Sequence, residues 1–132
     1  NYLLYEAKDY CKKTIGDRKI SHMIINSYHI DNRNYSFFPK DISGKNFSLD
    51  LNFICISKNL IKSFEKVLKK YQISIGKIVD KRYISKFLNE DENDIFQLTK
   101  KILAGYNPNE IIIANKTHKN QGFFEKFFNF FN

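Results

Sequence analysis

The side chains able to do acid–base, nucleophilic or metal chemistry are few and scattered. Cys11 and Cys55 are the two cysteines. They stand far apart in unlike settings, so neither a disulfide framework nor a CxxC metal site is indicated, and two reduced structural thiols are expected. His22, His29 and His118 form no HExxH or i,i+4 pair. By strand alternation His22 and His29 would point to opposite faces, and no metal site is expected. Glu90, Asp91, Glu92 and Asp94 crowd together without the DxDxDG spacing of a calcium loop, and read as an acidic turn favouring the positive end of the helix that follows. The glycines lie singly at 16, 44, 76, 105 and 122, so neither GxGxxG nor a phosphate-binding GxxxxGK[ST] loop can be written. There is no GxSxG and no supported Cys/His pair. The expectation is a protein with no catalytic residue, cofactor or metal of its own.

The most informative chemistry is apolar. From Gly122 to Asn132 a helix would place Phe123, Phe124, Phe127, Phe128, Phe130 and Phe131 within an arc of roughly 160°, with Glu125, Lys126, Asn129 and Asn132 opposite. Such a stripe docks on the chain's own core, on another copy, or in a lipid interface. Its terminal place, the polar stretch Lys116 to Gln121 before it, and the basic Lys116, Lys119 and Lys126 favour lipid. Each lysine near anionic headgroups contributes on the order of 1 kcal/mol. Half-burial of six rings offers several times more, at roughly 25 cal/mol per Å².

Composition narrows the class. Apolar residues are 42% of the 132, so the chain is globular and long enough for one domain with a core. No apolar run approaches the ~20 residues of a spanning helix, and Asn1 to Lys13 has no apolar signal region, so a cytoplasmic protein with peripheral membrane contact is expected. The initial asparagine suggests a piece of a longer chain. The net charge of +8 would suit nucleic acid. Lysine, asparagine, isoleucine and phenylalanine dominate while arginine is scarce, a pattern that AT-rich codons produce unaided, so no nucleic-acid partner is expected.

The elements that position these residues are legible from periodicity. Tyr2 to Lys13 has helical spacing of Leu3, Leu4, Ala7, Tyr10 and Cys11, and Gly16 closes it. Lys19 to Ile30 reads as a strand ending in the polar turn Asp31-Asn32-Arg33-Asn34. A connection through Pro39 and Gly44 leads to the alternating strand Phe47 to Ser57. Lys58 to Tyr71 is the clearest helix, capped by Ser57, with Leu60, Ile61, Phe64, Val67, Leu68 and Tyr71 on one side. Its wet stripe is Lys58, Lys62, Lys66, Lys69 and Lys70. Ile73, Ile75, Ile78, Val79 and Ile84 predict a strand region with a break at Gly76. Asp94 to Ala104 is a further helix, stopped by Gly105 and Pro108, and Ile111 to Ala114 a short strand. The fold class is α+β: a small two-layer sandwich, about three strands with helices packed on one face, plus a C-terminal helical tail. The acidic break after residue 88 divides the chain into 1–88, an additional helix and strand at 89–115, and a linker with amphipathic helix at 116–132.

From about Leu3 to Leu88 the order of features resembles the small inserted (SHS2-type) domain of the bacterial actin-like cell-division protein FtsA. The residues that carry it are the helix Tyr2 to Lys13, ISHMIINSYHID (Ile20 to Asp31), PKDISGK (Pro39 to Lys45), FSLDLNFICIS (Phe47 to Ser57), KNLIKSFEKVLKKYQISI (Lys58 to Ile75) and GKIVDKRYIS (Gly76 to Ser85). FtsA also ends in a linker and an amphipathic membrane-targeting helix, which Gly122 to Asn132 resembles. The resemblance implies a non-enzymatic division protein at the inner face of the cell membrane, contacting FtsZ, other FtsA copies and later division proteins. It points to Pro39, Ile42, Gly44, Lys58 and Lys62 as partner-binding residues, and to Phe123, Phe124, Lys126, Phe127, Phe128, Phe130 and Phe131 as membrane-binding ones. Full-length FtsA proteins bind ATP, but the phosphate loops have no counterpart here. The alternatives are a basic nucleic-acid-binding domain and the inserted domain of another actin-like assembly protein, such as a pilus component.

Overall fold

The computed structural model describes residues 2–91 and 93–111. The expected tail, with its phenylalanines and its linker, lies outside them. The fold is α+β, a three-stranded antiparallel sheet with helices. The order is α1 (Tyr2–Thr14), β1 (Arg18–Ile30), β2 (Arg33–Tyr35), β3 (Phe47–Ser57), α2 (Lys58–Lys69), α3 (Lys81–Ser85) and α4 (Ile95–Leu103). The strands lie in the order β2–β1–β3.

β1 and β3 form the long ladder, from Arg18 opposite Ser57 to Ile30 opposite Phe47. Two register shifts skip Ser21 and Asn26 on β1, so both bulges belong to that strand. Each bulge reverses the face on which the following residues point. Ile20, Met23, Ile25 and Tyr28 therefore share one face with Cys55, Phe53, Leu51 and Leu49, while His22, Ile24 and His29 share the other with Ile54, Asn52 and Ser48. This corrects the alternation argument, because the bulge at Asn26 puts His22 and His29 on the same face.

The face of Ile24 carries the main core, in which Ile24, Tyr83, Ile84, Leu98 and Ile102 are buried together with Ile54, Val79, Phe87, Ile95 and Leu103 around them. Here α3 and α4 pack side by side, so α4, beyond the acidic break, belongs to the same core as β1. On the opposite face α1 buries Leu4 and Cys11, and Cys11 meets Cys55. Helical cover is thus shared between the two faces.

Three local features differ from the pattern-based expectation. After a two-residue turn with Asp31 in the left-handed region (φ 52°), Arg33–Tyr35 turn back as a short strand beside Tyr28–Ile30. Three mostly polar residues carry no alternation that periodicity could detect. The stretch 73–80 is irregular, because side chains of β1 bind its backbone: Ser21 Oγ donates to the Ile78 carbonyl at 2.9 Å, and the Asp80 N–H donates to His22 Nε2 at 3.0 Å. Ile84, expected in that strand, lies in α3, where Asp80 Oδ1 caps the N–H groups of Arg82 and Tyr83. Asp94 caps α4 in the same way, which is the role expected of the acidic turn. Finally, Ile25 N–H donates to Asn109 and Ile111 N–H to Met23, an antiparallel clip on the free edge of β1. The bridge falls at Glu110, one residue before the strand expected over Ile111 to Ala114, and residues 112–114 of that range lie outside the described part.

Gly44 sits against the end of β1. A Cβ there would meet Ile30 Cγ2 at 2.3 Å, and Ile30 is buried and stiff at χ1. Gly44→Ala is expected to lower stability by about 1–3 kcal/mol through overpacking, measured by urea unfolding.

Candidate protein-interaction surface

The polar chemistry of the described residues is concentrated in one place, and it is sealed. His22 Nε2 accepts the Asp80 N–H, which leaves the ring proton on Nδ1, and Nδ1–H donates to Glu110 Oε1 at 2.6 Å. Tyr83 O–H donates to Glu110 Oε2, and Asn107 Nδ2 donates to the Tyr83 oxygen at 2.9 Å. His22, Tyr83 and Glu110 are all buried, and the His22 and Tyr83 rings stand 4.5 Å apart between centroids. The arrangement has a base, a carboxylate and a phenol, yet no open face on which a substrate would meet them. Its effect is structural: it ties the chain at Glu110 to β1 and α3. His29 takes no part, bonding Ser27 and Asn34 instead. Nothing local in the sequence announces this network, since Glu110 pairs with a histidine 88 residues away.

Burial pushes the Tyr28 phenol up to about 12, and burial followed by the hydrogen bond to Glu110 raises that of Tyr83 as well. In the unfolded chain each would ionise near 10. The native state therefore keeps protons that the unfolded state loses. Stability from these groups is complete below pH 10 and falls as pH rises toward 12, by roughly 2–3 kcal/mol for Tyr28 alone. Urea unfolding across that range is expected to show the decline, and Tyr28→Phe to flatten it.

Cys11 and Cys55, which spacing alone set apart, are neighbours, and both are free thiols. Burial, and next the adjacent Cys55, raise the Cys11 pKa and keep it a thiol rather than a nucleophilic thiolate.

What faces outward is apolar. Of the expected buried side of α2, only Ile61 is buried and Leu68 half-buried. Leu60, Phe64, Val67 and Tyr71 form a row with 47%, 53%, 54% and 71% exposure, a ridge that water meets directly. Ile73 continues it. The ridge is a surface the sequence pattern assigned to the core, since periodicity reports amphipathicity without reporting what the apolar side faces. The lysines lie on the polar side of the same helix. A cavity of about 210 Å³ opens where α2 meets the sheet, walled by Ile56, Ile61, Ile75 and Ile78 with Lys19 and Glu65 among its lining.

The five residues singled out for partner contact do not form one patch. Pro39, Ile42 and Gly44 belong to the loop before β3, with Ile42 and Gly44 exposed. Lys58 and Lys62 belong to α2, after β3, and Lys58 Nζ donates to the Gly16 carbonyl at 3.3 Å. Eleven residues of extended strand separate the groups by about 35 Å. The phenylalanines expected to bind membrane, and Lys126 with them, lie outside the described residues. Among the described residues no helix is long and apolar enough to cross a membrane. No family model, curated protein or solved structure matches the chain.

Proposed function

We propose that this chain is a non-enzymatic interaction and membrane-attachment module of the FtsA type, acting at the cytoplasmic face of the cell membrane at the division site. In this reading the folded body binds division proteins, with FtsZ, FtsA copies and later division proteins as the candidates. The phenylalanine segment supplies reversible lipid affinity. The observation that carries it is the contrast between a sealed polar network and an exposed apolar ridge on α2. Interaction surfaces look like the second, and active sites require access to the first.

A single short interfacial helix binds weakly, so several copies acting together are needed for firm attachment. The double substitution Phe127→Glu and Phe128→Glu is expected to reduce co-sedimentation with anionic liposomes by roughly a hundredfold or more, from lost ring burial and added repulsion. Unchanged co-sedimentation contradicts the lipid role. Steep salt-dependent retention on heparin that ignores this substitution would favour nucleic acid instead.

A further inference from the structure

We infer that β3 is a homotypic interface, pairing antiparallel with β3 of a second copy about a two-fold axis through Asn52 to make a six-stranded sheet. The inference rests on strand geometry and is independent of the lipid reading.

The two edges of the sheet are treated differently. On β1's far side the fold supplies partners, β2 along Tyr28–Ile30 and the Asn109–Ile111 clip at Met23–Ile25. Among the described residues β3 is laddered to β1, and no backbone hydrogen bond joins Ser48–Ile56 to any other element. The usual protections of such an edge are missing. β3 has no lysine, arginine, proline or glycine; its one charge is Asp50; and both bulges of the ladder belong to β1. Cover also stops short of it: Met23, Ile25 and Tyr28 are fully buried, whereas their partners Phe53, Leu51 and Leu49 remain half-exposed.

The strand is complementary to itself in one orientation. With Asn52 opposite Asn52 of the second copy, Leu51 faces Phe53 and Leu49 faces Cys55, so the half-exposed apolar row continues across the axis. Asp50 falls opposite Ile54, and no like charges meet. Charge also fixes the direction. The lysine-bearing α2 starts where β3 ends, and antiparallel pairing keeps the two α2 starts about 35 Å apart, several Debye lengths at physiological salt. Parallel pairing would bring the lysines side by side.

Sedimentation of the full chain is expected to show a concentration-dependent rise from 15.7 kDa to twice that mass. Hydrogen exchange is expected to slow at the amides of Ser48–Ile56 as concentration rises, and not at those of α1. Asn52→Lys and Asn52→Asp each place like charges across the axis and are each expected to weaken the dimer at least tenfold, while an equimolar mixture restores it as a heterodimer. A wild-type monomer at all concentrations up to about 100 µM, well above the range in which micromolar edge pairing would be seen, overturns the inference. So does dimerisation with no slowing at Ser48–Ile56, or a mixture that recovers nothing.

Discussion

Glu110→Ala is expected to destabilise the protein by about 3–5 kcal/mol, lowering Tm by roughly 10 °C or more. The carboxylate accepts from the His22 ring and from the Tyr83 hydroxyl, and alanine leaves both donors buried without an acceptor. The loss spreads, because Asp80 holds its cap on α3 while its own N–H is bound to the same imidazole. Glu110→Gln keeps the volume and one acceptor and is expected to cost about 1–2 kcal/mol. Thermal and urea unfolding of the three proteins measure both. An alanine variant within about 1 kcal/mol of wild type would mean that the network does not hold the chain at Glu110.

The second large effect is a contrast between two helices. Leu98 of α4 is 1% exposed within the core, and Leu98→Ala is expected to cost about 2–5 kcal/mol. Phe64 of α2 is a larger side chain that stands half in water, and Phe64→Ala is expected to cost less than about 1 kcal/mol. Sequence periodicity gives both residues the same place on an amphipathic helix. A Phe64→Ala loss equal to that of Leu98→Ala would show the ridge to be core, and would remove the surface on which the interaction reading stands.

Local patterns disclosed the elements that local physics determines. β3 alternates, and its observed ends match those read from Phe47 and Ser57. The Ser57 cap and the helix after it were legible for the same reason, as was α4 between Asp94 and Gly105. Long-range pairing decided the rest. The apolar run near Ile75 and Ile78 has the composition of a strand, yet Ser21 and His22 claim its backbone with side chains. The bulges in β1 change which face a histidine occupies without leaving a turn signature in the sequence. Glu110, the residue on which the polar network turns, looks like one more surface carboxylate until its distance to His22 is known. Cys11 and Cys55 are likewise joined by the docking of α1, which no spacing rule contains.

The proposed role has this body attached to an anionic bilayer through the segment Phe123 to Phe131. Flotation of the full chain with vesicles of neutral lipid, and with vesicles containing phosphatidylglycerol, tests it most directly. The expected result is recovery in the floating fraction with the anionic vesicles, weakened but not abolished by salt because ring burial remains. Protein left at the bottom of the gradient with both vesicle types would contradict it.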